Sequence, residues 1–426
     1  MVAAAPASGG VVRVESMALY VPEPIEDAWR GVLESAVQRR IDGGAVGAIV
    51  ERMSRSYRGE DVSLPPADAI AARALFWFPR DVVKIALPIA ELVASGTFGD
   101  RALRVLDLGA GLGATSLGVA RVLDAIRARG GSCPTIESID AVDADARALD
   151  AMRAIADGAF ALSLLRGAMP SIRAHTLDLA RPLPRSVAMR GPFDLIVSGL
   201  TLVELTRAAS DDLSRASQIA STVRRWVESA RLRPDGAIVL LEPGTHDDAR
   251  ALHGAREALS KDGWHILAPC PHALACPMLV RERDWCHEDL PVDLPPWLVP
   301  VAREAGLRWQ GATFSYLTLT RTARRSTAVG SRVRARVVSS PRISKGKCEA
   351  FACGAFGGDA TGLRLMQLSR DARGTSVDEH VAPTVTLNAL ARGDEIDVDV
   401  RGAQPPATTG ATFRVGVEAL ARALPP

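Results

Sequence analysis

The stretch RVLDLGAGLGA, Arg104 to Ala114, constrains the fold more than any other part of the chain. A short apolar run ends in three glycines, Gly109, Gly111 and Gly113. It passes directly into ATSLGVARVLDAIRARG, whose apolar residues keep helical spacing up to Gly130 and Gly131. A strand that turns on glycines into a helix lets backbone approach a ligand with no side chain in the way. The alternation then repeats. TIESIDAVDAD reads as a second strand with ARALDAMRAIADGA as its helix, IRAHTLDL as a third and FDLIVSGLTLVEL as a fourth. After a helix over 211–230 and an RPDG turn, AIVLLEPG is a fifth, and GWHILAP and TFSYLTLTR are further strand candidates. Strands joined by helical crossovers imply an α/β, doubly wound, mostly parallel sheet.

Gly109 to Ala114 fits G-x-G-x-x-A, the pattern of dinucleotide sites. Two acids point elsewhere. Asp107, two residues before the first glycine, would repel a pyrophosphate but suits a cationic methionine moiety. Asp143 ends the second strand about 30 residues beyond the glycines, where dinucleotide folds place their acid at about 20. S-adenosylmethionine is therefore the expected ligand. The string D-x-G-x-G-x-G from Asp107 to Gly113 resembles the first motif of class I methyltransferases, which have a Rossmann-like fold. That resemblance implies Asp143 on the ribose hydroxyls and Asp178, after the third strand, near the adenine amine. SGLTLVEL follows the fourth strand where amino-methylating enzymes carry Asn-Pro-Pro-Tyr, and holds neither that clamp nor a cysteine nucleophile. Ser198 and Glu204 are candidates to line the cofactor or acceptor pocket. His246 is a candidate base, with a lone surface histidine as the plainer reading. Binding is legible here; methyl transfer is not.

Three of the six cysteines fall in CPHALACPMLVRERDWC: Cys270, Cys276 and Cys286, with His272 and His287 beside them. The opening MVAAAPASGGVVRVESM has no basic start followed by an apolar core, so a reducing compartment is expected. Clustered cysteines there read as metal ligands. C-x5-C-x9-C leaves a four-coordinate site one ligand short, and His272, His287, Cys348 and Cys353 are the candidates for it. Cys348 and Cys353 are separated by an odd number of strand positions, which puts them on opposite faces, so one of the two turns toward a shared site. Cys133 reads as incidental. The short knuckles usual for zinc are absent, and the wider spacing fits an iron–sulfur cluster better, with zinc as the alternative.

Around this centre the chain divides into a helical N-terminal region (1–100), a methyltransferase-type domain (101–322) with a cysteine-rich insertion at 266–310, a small β-rich module (323–405) and a tail or helix (406–426). PIEDAWRGVLESAVQRRI and RDVVKIALPIAELVASGTFG carry the helical pattern of the first, and its opening residues read as a frayed end. VRARVVSS, CEAFACGAF, LRLMQLSR, TVTLNALA and DEIDVDV read as short strands of a barrel-like module, and RVGVEALARAL as a closing helix. No apolar run reaches the roughly 18–20 residues that span a bilayer, so no membrane partner is expected. A net charge of +2 does not by itself call for nucleic acid. Arg332, Arg334, Arg336 and Arg342 with Lys345 and Lys347 form the best candidate phosphate-binding stripe, against the plainer reading of a solvated face.

LLEPGT, APCPHALACP, DWCHE, FSYLTLTR and PRISKGKCEAFACG together resemble the methyltransferase-like family of mitochondrial small-subunit ribosome assembly proteins and its bacterial relatives, over roughly 70–400. The resemblance implies a class I methyltransferase fold carrying a [4Fe–4S] cluster on Cys270, Cys276, Cys286 and Cys353, with Cys348 a spare strand residue. It implies partnership with the small ribosomal subunit and its rRNA, bound and open to methylation. A weak transit-peptide character favours the bacterial cytoplasm, or the mitochondrial matrix for a eukaryotic source. The alternatives are an S-adenosylmethionine-dependent enzyme acting on a small molecule or protein, its cysteines holding structural zinc, and a non-catalytic binding protein.

Overall fold

A computed structural model describes residues 10–15, 24–209, 211–322, 332–340, 342–344, 347–355, 363–369, 392–399 and 412–419. The candidate strand TVTLNALA and Lys345 lie outside them. β1 (Gly10–Glu15) belongs to the second of two sheets. The first is built from β2 (Ala102–Leu108), β3 (Thr135–Asp143), β4 (Ser171–Thr176), β5 (Phe193–Gly199) and β6 (Leu232–Pro243). β7 (His265–Ala268), β8 (Glu288–Leu290) and β9 (Ala312–Thr320) complete it.

Its order is β4-β3-β2-β5-β6-β9-β7. β2 to β6 run parallel, and β9 lies antiparallel between β6 and β7. This is the class I methyltransferase arrangement. Both faces are covered, and the strands alternate between two cores. Leu195, Val197, Val239 and Leu241 enter one, while Ile196, Ile238 and Leu240 enter the other. A sheet buried on both faces reads as continuous apolar runs, which is why FDLIV and AIVLL stood out in the sequence. The first core also takes the helices Ala28–Ala36, Gly43–Tyr57 and Ala86–Ala94, with Trp29 and Phe76 fully buried. The second takes Asp212–Ala230 and His246–Lys261. Asp211 caps the former by accepting from the Leu213 and Ser214 amides. RPDG is not a turn before β6. It lies within the strand as an irregularity, where pairing jumps from Phe193↔Leu232 to Leu195↔Ala237. Among the described residues no helix is long and apolar enough to cross a membrane.

The second sheet comprises β1 with β10 (Arg332–Val337), β11 (Arg342–Ser344), β12 (Lys347–Gly354), β13 (Leu363–Ser369), β14 (Glu395–Asp399) and β15 (Thr412–Ala419). Its order is β10-β14-β1-β15-β13-β12-β11, and an extra β10–β12 pairing closes six of these strands into a barrel. Two expectations are corrected. The closing helix over the last residues is instead β15: TFRVGVEA alternates apolar and other residues with period two, and Gly416 disfavours helix. The frayed, non-strand reading of the N-terminus also gives way, because β1 sits between β14 and β15.

The barrel meets the first sheet at Arg336 of β10, which is 1% exposed. Its guanidinium reaches Glu288 Oε1 at 3.1 Å, Glu395 Oε1 at 3.5 Å and, most closely, Glu91. The Tyr316 hydroxyl donates to Glu91 Oε2 at 2.7 Å. Burial raises Glu91 and pushes Glu288 up to about 7, each against the pull of Arg336. Arg336 is therefore no part of a phosphate stripe. Arg334 is paired too, 3.7 Å from Glu395. Replacing Arg336 by Met would strand buried carboxyls without their cation, so a urea titration is expected to lose about 3–5 kcal/mol. A loss below about 1 kcal/mol would mean that other contacts hold the barrel in place.

Candidate cofactor site and cysteine junction

The glycine loop lies at the carboxyl edge of β2, the edge where open α/β sheets bind ligands. The amides of Gly109 and Ala110 donate to Val142 O at 2.8 and 3.0 Å, which ties the loop to β3. Gly111 N donates to Asp143 Oδ2 at 2.8 Å, and Asp145 N donates to Asp143 Oδ1 at 2.8 Å. Each carboxylate oxygen has a second acceptor site, so Asp143 is held in place with capacity left for hydroxyl donors. The glycines serve different needs. Gly111 (φ 52°) has open space where a Cβ would sit, whereas a Cβ on Gly109 (φ 78°) would run into the Thr201 side chain.

Asp107 is fully buried. Its Oδ2 accepts from Ser116 N at 3.2 Å, its Oδ1 has no hydrogen-bond partner among the described residues, and burial pushes the carboxyl up to about 7. Asp178 lies two residues past Thr176, the β4 residue paired with Asp143; it is exposed and accepts from Ala180 N at 2.9 Å. Ser198 is fully buried, and its hydroxyl donates to Leu108 O at 2.9 Å, a tie within the sheet. His246 is partly exposed, held by Asp247 and by Glu282 O.

Glu242, at the end of β6, escaped the sequence reading. It is 1% exposed and accepts from the Leu202 and Val203 amides at 3.0 Å each, which anchors the segment after β5. Burial pushes it up to about 8. The available signal was an acid closing an otherwise apolar strand, LLEP.

The cysteine loop is pinned from the helix His246–Lys261. Arg250 Nη1 donates to the carbonyls of Met278, Arg281 and Asp284 at 3.0, 2.9 and 2.8 Å. Trp285 Nε1 donates to Gly244 O at 3.1 Å, and His287 stacks on the Trp285 ring. Cys270, Cys276 and Cys353 are buried and Cys286 is partly so. These four thiols share one region. Burial, then the neighbouring Cys270, pushes Cys276 up to about 12; burial, then Cys270 and Cys276, raises Cys286 and Cys353. His272 Nε2 lies 3.0 Å from Cys353 Sγ. Arg256, fully buried, donates to His272 O at 2.8 Å and to Glu257 at 2.5 Å, and stands beside Cys270 and Cys276. Cys133 lies apart, against Leu123 O and Arg127. The side chain of Cys348 is outside the described set. Among the described residues, no three His, Cys, Asp or Glu side chains form a site for a single metal ion.

Sheet order, glycine loop and the acids at the carboxyl edge define a class I methyltransferase-type domain. The family model described as mitochondrial small ribosomal subunit Rsm22 matches residues 102–358. The chain belongs to that family. No curated protein matches it. Among solved structures it is similar to magnesium protoporphyrin IX methyltransferase from Synechocystis, at 14% identity over 64% of this chain and 97% of that one, with a TM-score of 0.32. A SAM-dependent methyltransferase from Leishmania major is 13% identical over 70% and 88%, TM-score 0.33. A putative RNA methyltransferase from Pyrococcus horikoshii is 10% identical over 61% and 86%, TM-score 0.30.

Asp107 and Glu242 make stability depend on pH. Burial pushes the two carboxyls up to about 7 and about 8 in the folded chain, well above the range of about 4 that they have when unfolded. Between those limits the folded state binds more protons than the unfolded one, so stability falls as pH rises, by up to about 1.4 kcal/mol per unit for each group. The ligand-free protein is expected to unfold at lower urea at pH 7.5 than at pH 5.5. In the double variant Asp107→Asn, Glu242→Gln that difference should shrink; an unchanged difference would mean that these carboxyls are ionised throughout.

Proposed function

We propose that this chain is an iron–sulfur-containing methyltransferase-type protein of the small ribosomal subunit, which binds rRNA and holds S-adenosylmethionine as methyl donor to it. The reading of the donor site rests on the residues present. Asp107 offers an unpartnered buried oxygen beside the loop, a fit for a cationic ligand, and Gly111 leaves room for a ligand against its backbone. Asp143 would take the ribose hydroxyls and Asp178 the adenine edge.

The observation that carries the metal reading is the gathering of Cys270, Cys276 and Cys286 from the loop with Cys353 from the barrel, next to the fully buried Arg256. A buried guanidinium calls for negative charge, and Glu257 alone, 32% exposed, is a partial answer. Thiolates complete it. Four soft ligands suit iron–sulfur or zinc, and the bound group would supply metal–thiolate bonds that join the two sheets. His272 lies against Cys353, and Arg250 keeps the loop in place. A reducing compartment, bacterial cytoplasm or mitochondrial matrix, would keep these thiols available. Family membership supports the ribosomal partner.

The test is the iron, sulfide and zinc content of anaerobically purified protein, wild type and Cys353→Ser. About four irons and four sulfides in the wild type, lost in the variant, are expected. One zinc without sulfide would overturn the cluster and bring forward a zinc-stapled enzyme with another acceptor.

A further inference from the structure

The segment after β5 lacks an aromatic acceptor clamp, while an aromatic pair of the N-terminal helices, Tyr57 and Trp77, adjoins the helical turn whose Arg73 bonds Asp145. Thr201 packs against Gly109, and Glu242 holds the Leu202 and Val203 amides, which sets Glu204 near Asp143. Glu204 is open to solvent, yet its carboxyl is raised by the protein around it, with Asp143 adding to the effect.

Residues 57–77 meet the carboxyl edge of the sheet through Arg73 and Asp145. Tyr57 ends the helix Gly43–Tyr57, and its phenol feels the charge of Glu204. Arg73 and Trp77 bound a single π-helical turn, a distortion frequent at functional sites. Arg73 Nη2 donates to Asp145 Oδ2 at 2.8 Å, two residues beyond Asp143. The Trp77 and Tyr57 rings meet edge to face, centroids 5.4 Å apart and planes at 86°. Tyr57 remains 36% exposed. Edge-to-face packing covers at most one face of its ring, so the ring is braced but still able to stack.

We propose that Tyr57, braced by Trp77, stacks an unpaired nucleobase of an RNA strand beside the donor site, with Glu204 accepting from the base's N–H edge. Single-stranded RNA is read in this way, by bases laid on aromatic rings and hydrogen-bonded at their edges. The N-terminal helices thus supply the clamp that the segment after β5 lacks. The charges facing Glu204 and Tyr57 are Arg73, Arg207, Asp81 and Asp143. Arg207 is exposed and placed for a flanking phosphate.

This inference rests on the donor-site and rRNA reading above, and the experiment separates the two. The probe is a single-stranded RNA containing 2-aminopurine, titrated into full-length protein saturated with S-adenosylhomocysteine. Wild type should quench the probe. Tyr57→Ala should bind it about ten-fold more weakly without quenching, and Tyr57→Phe should stay within about two-fold of wild type. S-adenosylmethionine affinity and the urea midpoint should be the same in all three. If Tyr57→Ala binds and quenches like wild type, the clamp is overturned while the rRNA reading stands. If Tyr57→Ala also loses S-adenosylmethionine affinity or stability, the residue is structural and the clamp is overturned. If wild type binds S-adenosylmethionine but no RNA, the functional reading falls and the clamp with it.

Discussion

The pairing of β10 with β12 places Arg336 directly opposite Cys353, and most of the junction follows from that register. Residues opposite each other in an antiparallel pair share a face. The strand pair that buries the guanidinium among Glu91, Glu288 and Glu395 therefore also presents Cys353 toward Cys270 and Cys276. A slip of one residue in either strand would turn that strand's side chain to the opposite face and separate the two. Burying a cation among carboxyls is a poor way to gain stability, since desolvation offsets much of the attraction. It is a good way to reject wrong registers, because any other register leaves these groups buried and unpaired.

Arg256 plays the corresponding part on the other side. It arises from the helix that also carries Arg250, so one rigid element fixes both the cysteine loop and the positive charge beside its thiols. Glu257, next in the chain, takes the Cys276 amide as well as the Arg256 guanidinium. The loop has little regular structure of its own. Its path is set by side chains of the helix accepting from or donating to its backbone.

The first sheet was legible because each strand is an apolar run and each turn is marked by glycine or a helix start. The strand-to-helix turn at the glycine loop was legible through spacing alone, and the structure sets Asp143 against the loop backbone. What escaped depends on partners distant in sequence. GVVRVE is six residues long, and its strand partners lie near the other end of the chain. The arginines of VRARVV were grouped as one stripe because residues two apart share a strand face. The acids that pull Arg336 inward come from positions 91, 288 and 395, which no local pattern connects. For the same reason the spacing left the fourth ligand open among His272, His287, Cys348 and Cys353.

The N-terminal helices close one face of the sheet with Trp29 and Phe76 while leaving Tyr57 accessible at the donor-site edge. That division follows from what the segment after β5 has already committed. Thr201 occupies the space that a side chain on Gly109 would need, and Leu202 is buried in the core behind it. The Leu202 and Val203 amides are bound by the carboxyl group of Glu242, which is buried. Within residues 201–205, Glu204 is the exposed one. A segment so occupied with positioning itself offers a flat acceptor no aromatic ring, and the pair Tyr57 and Trp77 belongs to the N-terminal helices. The added N-terminal region is thus more than a lid on the core: it brings to the carboxyl edge the side-chain chemistry that the sheet's own loop does not contain.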